Sequence, residues 1–207
     1  MAGLVDMVLG QLGSSGIGAI AGQLGTSQTG AQSAVTTAVS VLTGAMSMNA
    51  SKASGAAALD KALTKDHDGS IFNDLGGFLA NVTSGPGAGI LSHVLGGSRP
   101  QVEQAIAQKS GLSLDKIAPL LIAVAPLVMG ALGKMKVDKK MDASAVAATL
   151  ATERTAAEQG DQGAVLSSVL GLLGGMSQPT TPAASSSGGG GILGMLGGLF
   201  GKKKKGS

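Results

Sequence analysis

The stretch IAPLLIAVAPLVMGALG, residues 117–133, lies between Lys116 and Lys134 and holds seventeen residues without a charge. A bilayer-spanning helix needs about twenty consecutive apolar residues. This run falls short of that and is interrupted by Pro119, Pro126 and Gly130. Proline removes a backbone donor and crowds the preceding turn, so the stretch predicts a kinked helix buried at the centre of a soluble helical domain.

The flanks support a helical frame on both sides. Upstream, Ser98 with Gln101 three residues on reads as a capping box, Pro100 falls in the first turn, Val102, Ala105 and Ile106 form an apolar stripe, and Gly111 closes the helix. Ser113 then opens the unit that carries the central run. Downstream, Asp142 is positioned to cap a helix from Ala143 to Gln159, with Arg154 and Glu158 as an i, i+4 pair. A further helix is expected over residues 162–176.

Toward the N-terminus, Leu4, Val8, Leu12 and then Ile17, Ile20, Leu24 fit two short helices joined at residues 13–16 and ended by Gly25. Ala34, Val35, Ala38, Val41, Leu42, Ala45 and Met46 share one face of the next helix, with Thr26 or Ser27 as its cap. Residues 54–65, carrying Leu59, Ala62 and Leu63, form another, which the polar turn KDHDGS (65–70) breaks. A short helix is expected over 71–79, a loop over SGPGAG (84–89), and a brief helix after it ended by Gly96 and Gly97.

Composition agrees with an all-α class of short Gly- and Ala-rich helices. The chain has 207 residues, enough for one helical domain with appendages, and its apolar share of 43% includes three Phe and no Trp or Tyr. No run alternates β-branched and aromatic residues as strands do. Glycine, at 35 residues, is far in excess. A mid-helix glycine costs roughly 1 kcal/mol relative to Ala, so these helices must be held by close packing against neighbours. With no Cys, thiolate catalysis, thiolate metal ligation and disulfides are excluded.

Candidate chemistry is sparse. His67 and His93 are the only imidazoles; His67 sits between two aspartates in a turn, and His93 reads as a helix-packing residue with a satisfied ring nitrogen. Asp66, Asp68, Ser70 and Asp74 resemble a calcium loop only faintly, because the glycine at the sixth place and the glutamate at the twelfth are missing. Capping by Asp68 or Ser70 is the expected role. Gly13, Gly16 and Gly18 imitate a phosphate-binding fingerprint with no strand before it. No catalytic, cofactor or metal site is expected, and no small-molecule substrate is inferred.

GPGAGILSHVLGG (85–97), QVEQAIAQKSGLS (101–113) and LLIAVAPLVMGALGK (120–134), in this order and spacing, resemble the signature blocks of the YidB-like bacterial domain of unknown function. DHDGSIFNDL (66–75) and the N-terminal MVLGQLG are similar to the turn and opening helix of that family. The resemblance covers roughly residues 2–141 and implies a compact multihelical fold; it brings no activity. The organisation expected is a YidB-like domain over 1–141, a helical extension over 142–176, a Pro/Ser/Gly linker over 177–191, an apolar tail helix over 192–201 and a basic terminus over 202–207.

That tail carries the main functional expectation. VLGLLGGM (169–176) recurs as ILGMLGGL (192–199), identical at five of eight positions. In the second copy Ile192, Leu193, Met195, Leu196, Leu199 and Phe200 fall at helical spacing, which marks them as candidate partner-binding residues. Burying six such side chains contributes roughly what ordering the segment costs, so the tail needs a surface to fold against. The fourteen residues from Gln178 to Gly191 reach roughly 20 Å on average, enough to dock the tail in a groove of its own domain, of a protein partner or of another copy in a homo-oligomer. Lys202, Lys203, Lys204 and Lys205 follow and offer the alternative of weak contact with an anionic membrane. Without them, eleven basic residues face twelve acidic ones. No nucleic acid is expected, because neither aromatics nor a basic face accompany the lysines. Gly206 and Ser207 read as a possible cloning remnant. The start MAGLVDMVLG has no basic n-region and Asp6 interrupts its apolar stretch, so a cytoplasmic location is expected, and the sparse chemistry of His67, His93 and the aspartates makes a non-enzymatic protein the expectation.

Overall fold

A computed structural model describes residues 3–175, and among these every regular element is helical. In chain order they are α1 (Leu4–Leu24), α2 (Gln28–Ala50), α3 (Ala53–Lys65), α4 (Leu75–Ala80), α5 (Gly87–Leu95), α6 (Arg99–Ser110), α7 (Leu114–Lys139), α8 (Ala143–Gln159) and α9 (Gly163–Gly175). The tail residues from Ile192 to Phe200, the linker and Lys202 to Lys205 lie outside the described residues.

The seventeen-residue run sits inside α7, and fifteen of the 26 residues of that helix are buried. α7 continues through both prolines. Pro126 has no N–H to offer the carbonyl of Ile122, and it is against this carbonyl that α5 presses: a Cβ on Gly87 would collide with Ile122 O. A second close approach lies about three turns on, where a Cβ on Gly133 would collide with the carbonyl oxygen of His67. Glycine at these two points brings α5 and the 66–70 turn within backbone contact of the central helix. α2 is the other core helix, with fifteen buried residues including Val35, Val39, Val41 and Leu42.

By length and composition, α7 and α1 are both apolar enough to cross a membrane. The sequence argument that the central run is too short for this does not hold, because flanking residues extend the helix. Burial accounts for its composition instead: 78% of the most apolar window of α7 is enclosed by protein, against 39% for α1. α1 owes its length to two short helices running on through a break at Gly13 (φ 57°, ψ −171°), the junction expected from the sequence, and Gly25 ends it in the left-handed conformation.

Local capping follows the sequence in most places. Ser27 Oγ accepts from the Gly30 amide at 3.1 Å, and Asp142 Oδ1 accepts from the Ala145 amide at 2.8 Å. Arg154 and Glu158 pair at 3.4 Å. Three expectations are corrected. Ser98 makes no capping box: it is buried, in the α-region, in a 3-10 turn (Gly96–Ser98) that runs straight into α6. The short helix expected over 71–79 is a 3-10 turn (Ser70–Asp74) followed by α4, which Asp74 caps through the Gly77 amide at 2.9 Å. The 84–89 loop is shorter than its composition suggests, since α5 already begins at Gly87.

α8 and α9 belong to the same compact unit as the helices before them. Glu153 of α8 caps α1, its Oε2 accepting from the Leu4 amide at 2.8 Å. Thr37 of α2 donates to Gln162 Oε1 at 2.8 Å, just before α9. Leu166 and Val169 of α9 are fully buried, and Leu166 and Leu170 fill the space over Gly44 of α2.

Candidate functional site

α3 is the loosest of the long helices. Leu63 is its one buried residue, and Leu59 and Ala62 are half-buried. It is held on one side by an ion pair from Asp60 to Lys136 of α7 (2.9 Å) and by a hydrogen bond from Lys136 to Thr64 (2.8 Å). On the other side it faces α5 across a groove of about 670 Å³. Ala58, Leu59 and Ala62 line one wall, and Ile90 and Val94 line the other. Met46 and Ala50 of α2 and Met129 of α7, all buried, form the floor.

At the end where α3 begins, Asn49 Nδ2 donates to the carbonyl of Val94 at 3.1 Å and ties α2 to α5. Lys52, Ser54 and His93 line this end, and Lys52 and His93 are exposed. Past the C-terminus of α3, about 20 Å along at 1.5 Å per residue, the half-buried His67 lines the opposite end. Burial lowers the pKa of His67 below its ordinary value of 6.5 despite the opposing pull of Asp66 and Asp68, so the ring is neutral near pH 7. The lining includes no Asp or Glu.

Both histidines singled out from the sequence therefore belong to one groove, although they stand at its two ends. His93 is not the packed core histidine expected: it is exposed on α5. The aspartates of the calcium-like stretch are used locally. Asp68 Oδ1 accepts from the Ser70 amide at 3.0 Å, which lowers its pKa, and Asp74 caps α4. The groove itself was missed from the sequence. Its one signal is in α3, where Ala58, Leu59, Ala62 and Leu63 make an apolar face wider than a helix with a single buried residue needs.

These features define the class of the molecule: a glycine-tolerant, all-helical bundle with a half-open apolar groove. The chain belongs to the bacterial family of proteins of unknown function DUF937, whose profile matches residues 6–135. This accords with the resemblance to YidB-like domains. The match ends within α7, so α8 and α9 lie beyond it. No curated protein and no solved structure matches the chain.

Proposed function

We propose that this protein is a non-enzymatic helical scaffold whose apolar C-terminal segment, Ile192 to Phe200, docks as a helix in a groove of a protein partner or of another copy. The observation that carries the reading is the seat of the first motif copy. VLGLLGG forms most of α9, and Val169 with the preceding Leu166 is fully buried against this same body. Leu166 and Leu170 meet Gly44 of α2 there. A segment repeating five of eight residues of that motif is matched to the same kind of surface. The non-enzymatic part is supported by the engagement of Asp68 and Asp74 with backbone amides and by the placement of His67 and His93 at opposite ends of an apolar groove.

The test compares the full chain with a chain ended after Ser187, by light scattering for mass and circular dichroism for helicity. Loss of self-assembly or of a co-purifying partner, with the body's helicity retained, is expected. Assembly that survives the cut would end the reading.

Lys202 to Lys205, following directly on the apolar segment, favour a second reading as a weak peripheral membrane anchor. Sedimentation with anionic vesicles at low and high salt separates the two. Replacing the four lysines by Gln should release a membrane-bound chain and leave a groove-docked one in place.

A further inference from the structure

The groove between α3 and α5 is chemically graded along its length. Its middle is carbon, with Leu59, Ile90 and the buried Met129 around it, and methionine adapts its shape to an apolar guest. One end carries a cation, Lys52, with the His93 ring as a further hydrogen-bonding group beside the Asn49 bridge, and no carboxylate lines any part of it. Its volume of about 670 Å³ lies within the range of sites that enclose small ligands. The lysines that follow the tail motif would be repelled by this end, whereas an anionic head would be attracted.

We propose that this groove is a binding site for a free single-chain fatty acid, the acyl chain lying along Leu59, Ile90 and Met129 and the carboxylate at Lys52 and His93. The inference is independent of the tail. It rests on apolar length and charge in one cleft of the body.

The probe is dodecanoate, titrated calorimetrically into the full chain below its micelle-forming concentration, with dodecanol and dodecyltrimethylammonium as head-group controls. Saturable binding of about one dodecanoate per chain is expected. The alcohol should bind about fivefold more weakly, the size of one exposed charge interaction, and the ammonium more weakly still. Each methylene removed from the acid should weaken binding roughly fourfold. Lys52→Glu should reverse the head-group order. Gly89 lines the groove, and a Cβ there meets nothing within 4 Å, so Gly89→Leu should fold with normal helicity and bind dodecanoate at least tenfold more weakly. The proposal is overturned by no saturable binding, by equal affinity for the three heads, or by normal binding to a folded Gly89→Leu chain. The chain ended after Ser187 should bind as the full chain does. Binding seen only after that cut would assign the groove to the tail and overturn this proposal.

Discussion

α7 and α3 are both Ala- and Leu-bearing helices of one body, and they are held in opposite ways. α7 is enclosed by its neighbours and excludes any side chain at Gly87 and Gly133, where other backbones touch it or its own backbone touches them. α3 fully buries Leu63 alone, with Ala56 partly packed on the core, and presents Ala58, Leu59 and Ala62 to a groove. At the centre Gly87 and Gly133 are steric necessities, because the approaching atom is a backbone carbonyl that no rotamer change can move. At the rim Gly89 and the alanines keep space open, while Gly55 at the start of α3 faces the carbonyl of Asn49 and is fixed there for the same reason as the central pair. Close packing stabilises the centre, and incomplete packing at the rim is what leaves a surface for a ligand.

The contrast breaks first at the centre. Gly133→Ala places a methyl against the carbonyl oxygen of His67, and neither helix nor turn yields without losing other contacts. A loss of about 3 kcal/mol is expected from overpacking of this kind, read as a lower urea midpoint at unchanged slope. An unchanged midpoint would mean that the 66–70 turn is free to move off α7.

Leu63→Ala comes next. The side chain is 1% exposed, but α3 lies at an edge with open space beside it and can settle toward the body. The cost should fall at the low end for buried leucine, about 2 kcal/mol, and below that of Gly133→Ala. A larger loss would show α3 to be as tightly held as the centre.

A smaller effect is expected at His67, where the two regions meet. Burial makes the folded state a poorer proton acceptor than the unfolded chain, because its pKa is lowered. The unfolded state therefore binds more protons once the pH drops through the unfolded value near 6.5. Stability from this group should be complete above that value and decline on acidification until the pH passes below the depressed folded pKa. His67→Gln should remove this part of the slope from a plot of stability against pH. An unchanged slope would show that the ring is solvated.

Much of this frame was legible in the residues. The uncharged run 117–133, the stripes of α2 and α6, the break at Gly13 and the caps at Ser27 and Asp142 are local signals, and local signals survive into the fold. Ser98 was not legible, because its capping pattern competes with burial: the residue is 4% exposed in a 3-10 turn. Gly87 was misread for a related reason. Glycine beside Pro86 looks like a loop, yet here it answers the Ile122 carbonyl of another helix, a contact 35 residues away that no local pattern encodes. The groove was illegible altogether, since an apolar face reads the same whether a neighbour covers it or stops short. His67 and His93 were found as residues, but their sharing of one cleft comes only from the packing of α3 and α5 on α2 and α7.

The smallest expected effect, at Gly89, also tests the contrast most cleanly, because Gly87, where the loss should be of the kind expected at Gly133, lies in the same turn of α5. At Gly87 a Cβ meets the Ile122 carbonyl; at Gly89 it meets nothing within 4 Å. Both have ordinary negative φ, so both mutations to Ala reduce the freedom of the unfolded chain equally, by about 0.5 kcal/mol in favour of folding. At Gly89 nothing opposes that gain, and Gly89→Ala should raise the midpoint of thermal unfolding by about 1–2 °C. At Gly87 the collision outweighs it, and Gly87→Ala should lower the midpoint. Since helix propensity and unfolded-state entropy cancel between the two, opposite signs can come only from what each Cα faces. If both substitutions stabilised, α5 would have room to withdraw from α7, and the distinction between a crowded centre and an open rim would not describe this protein.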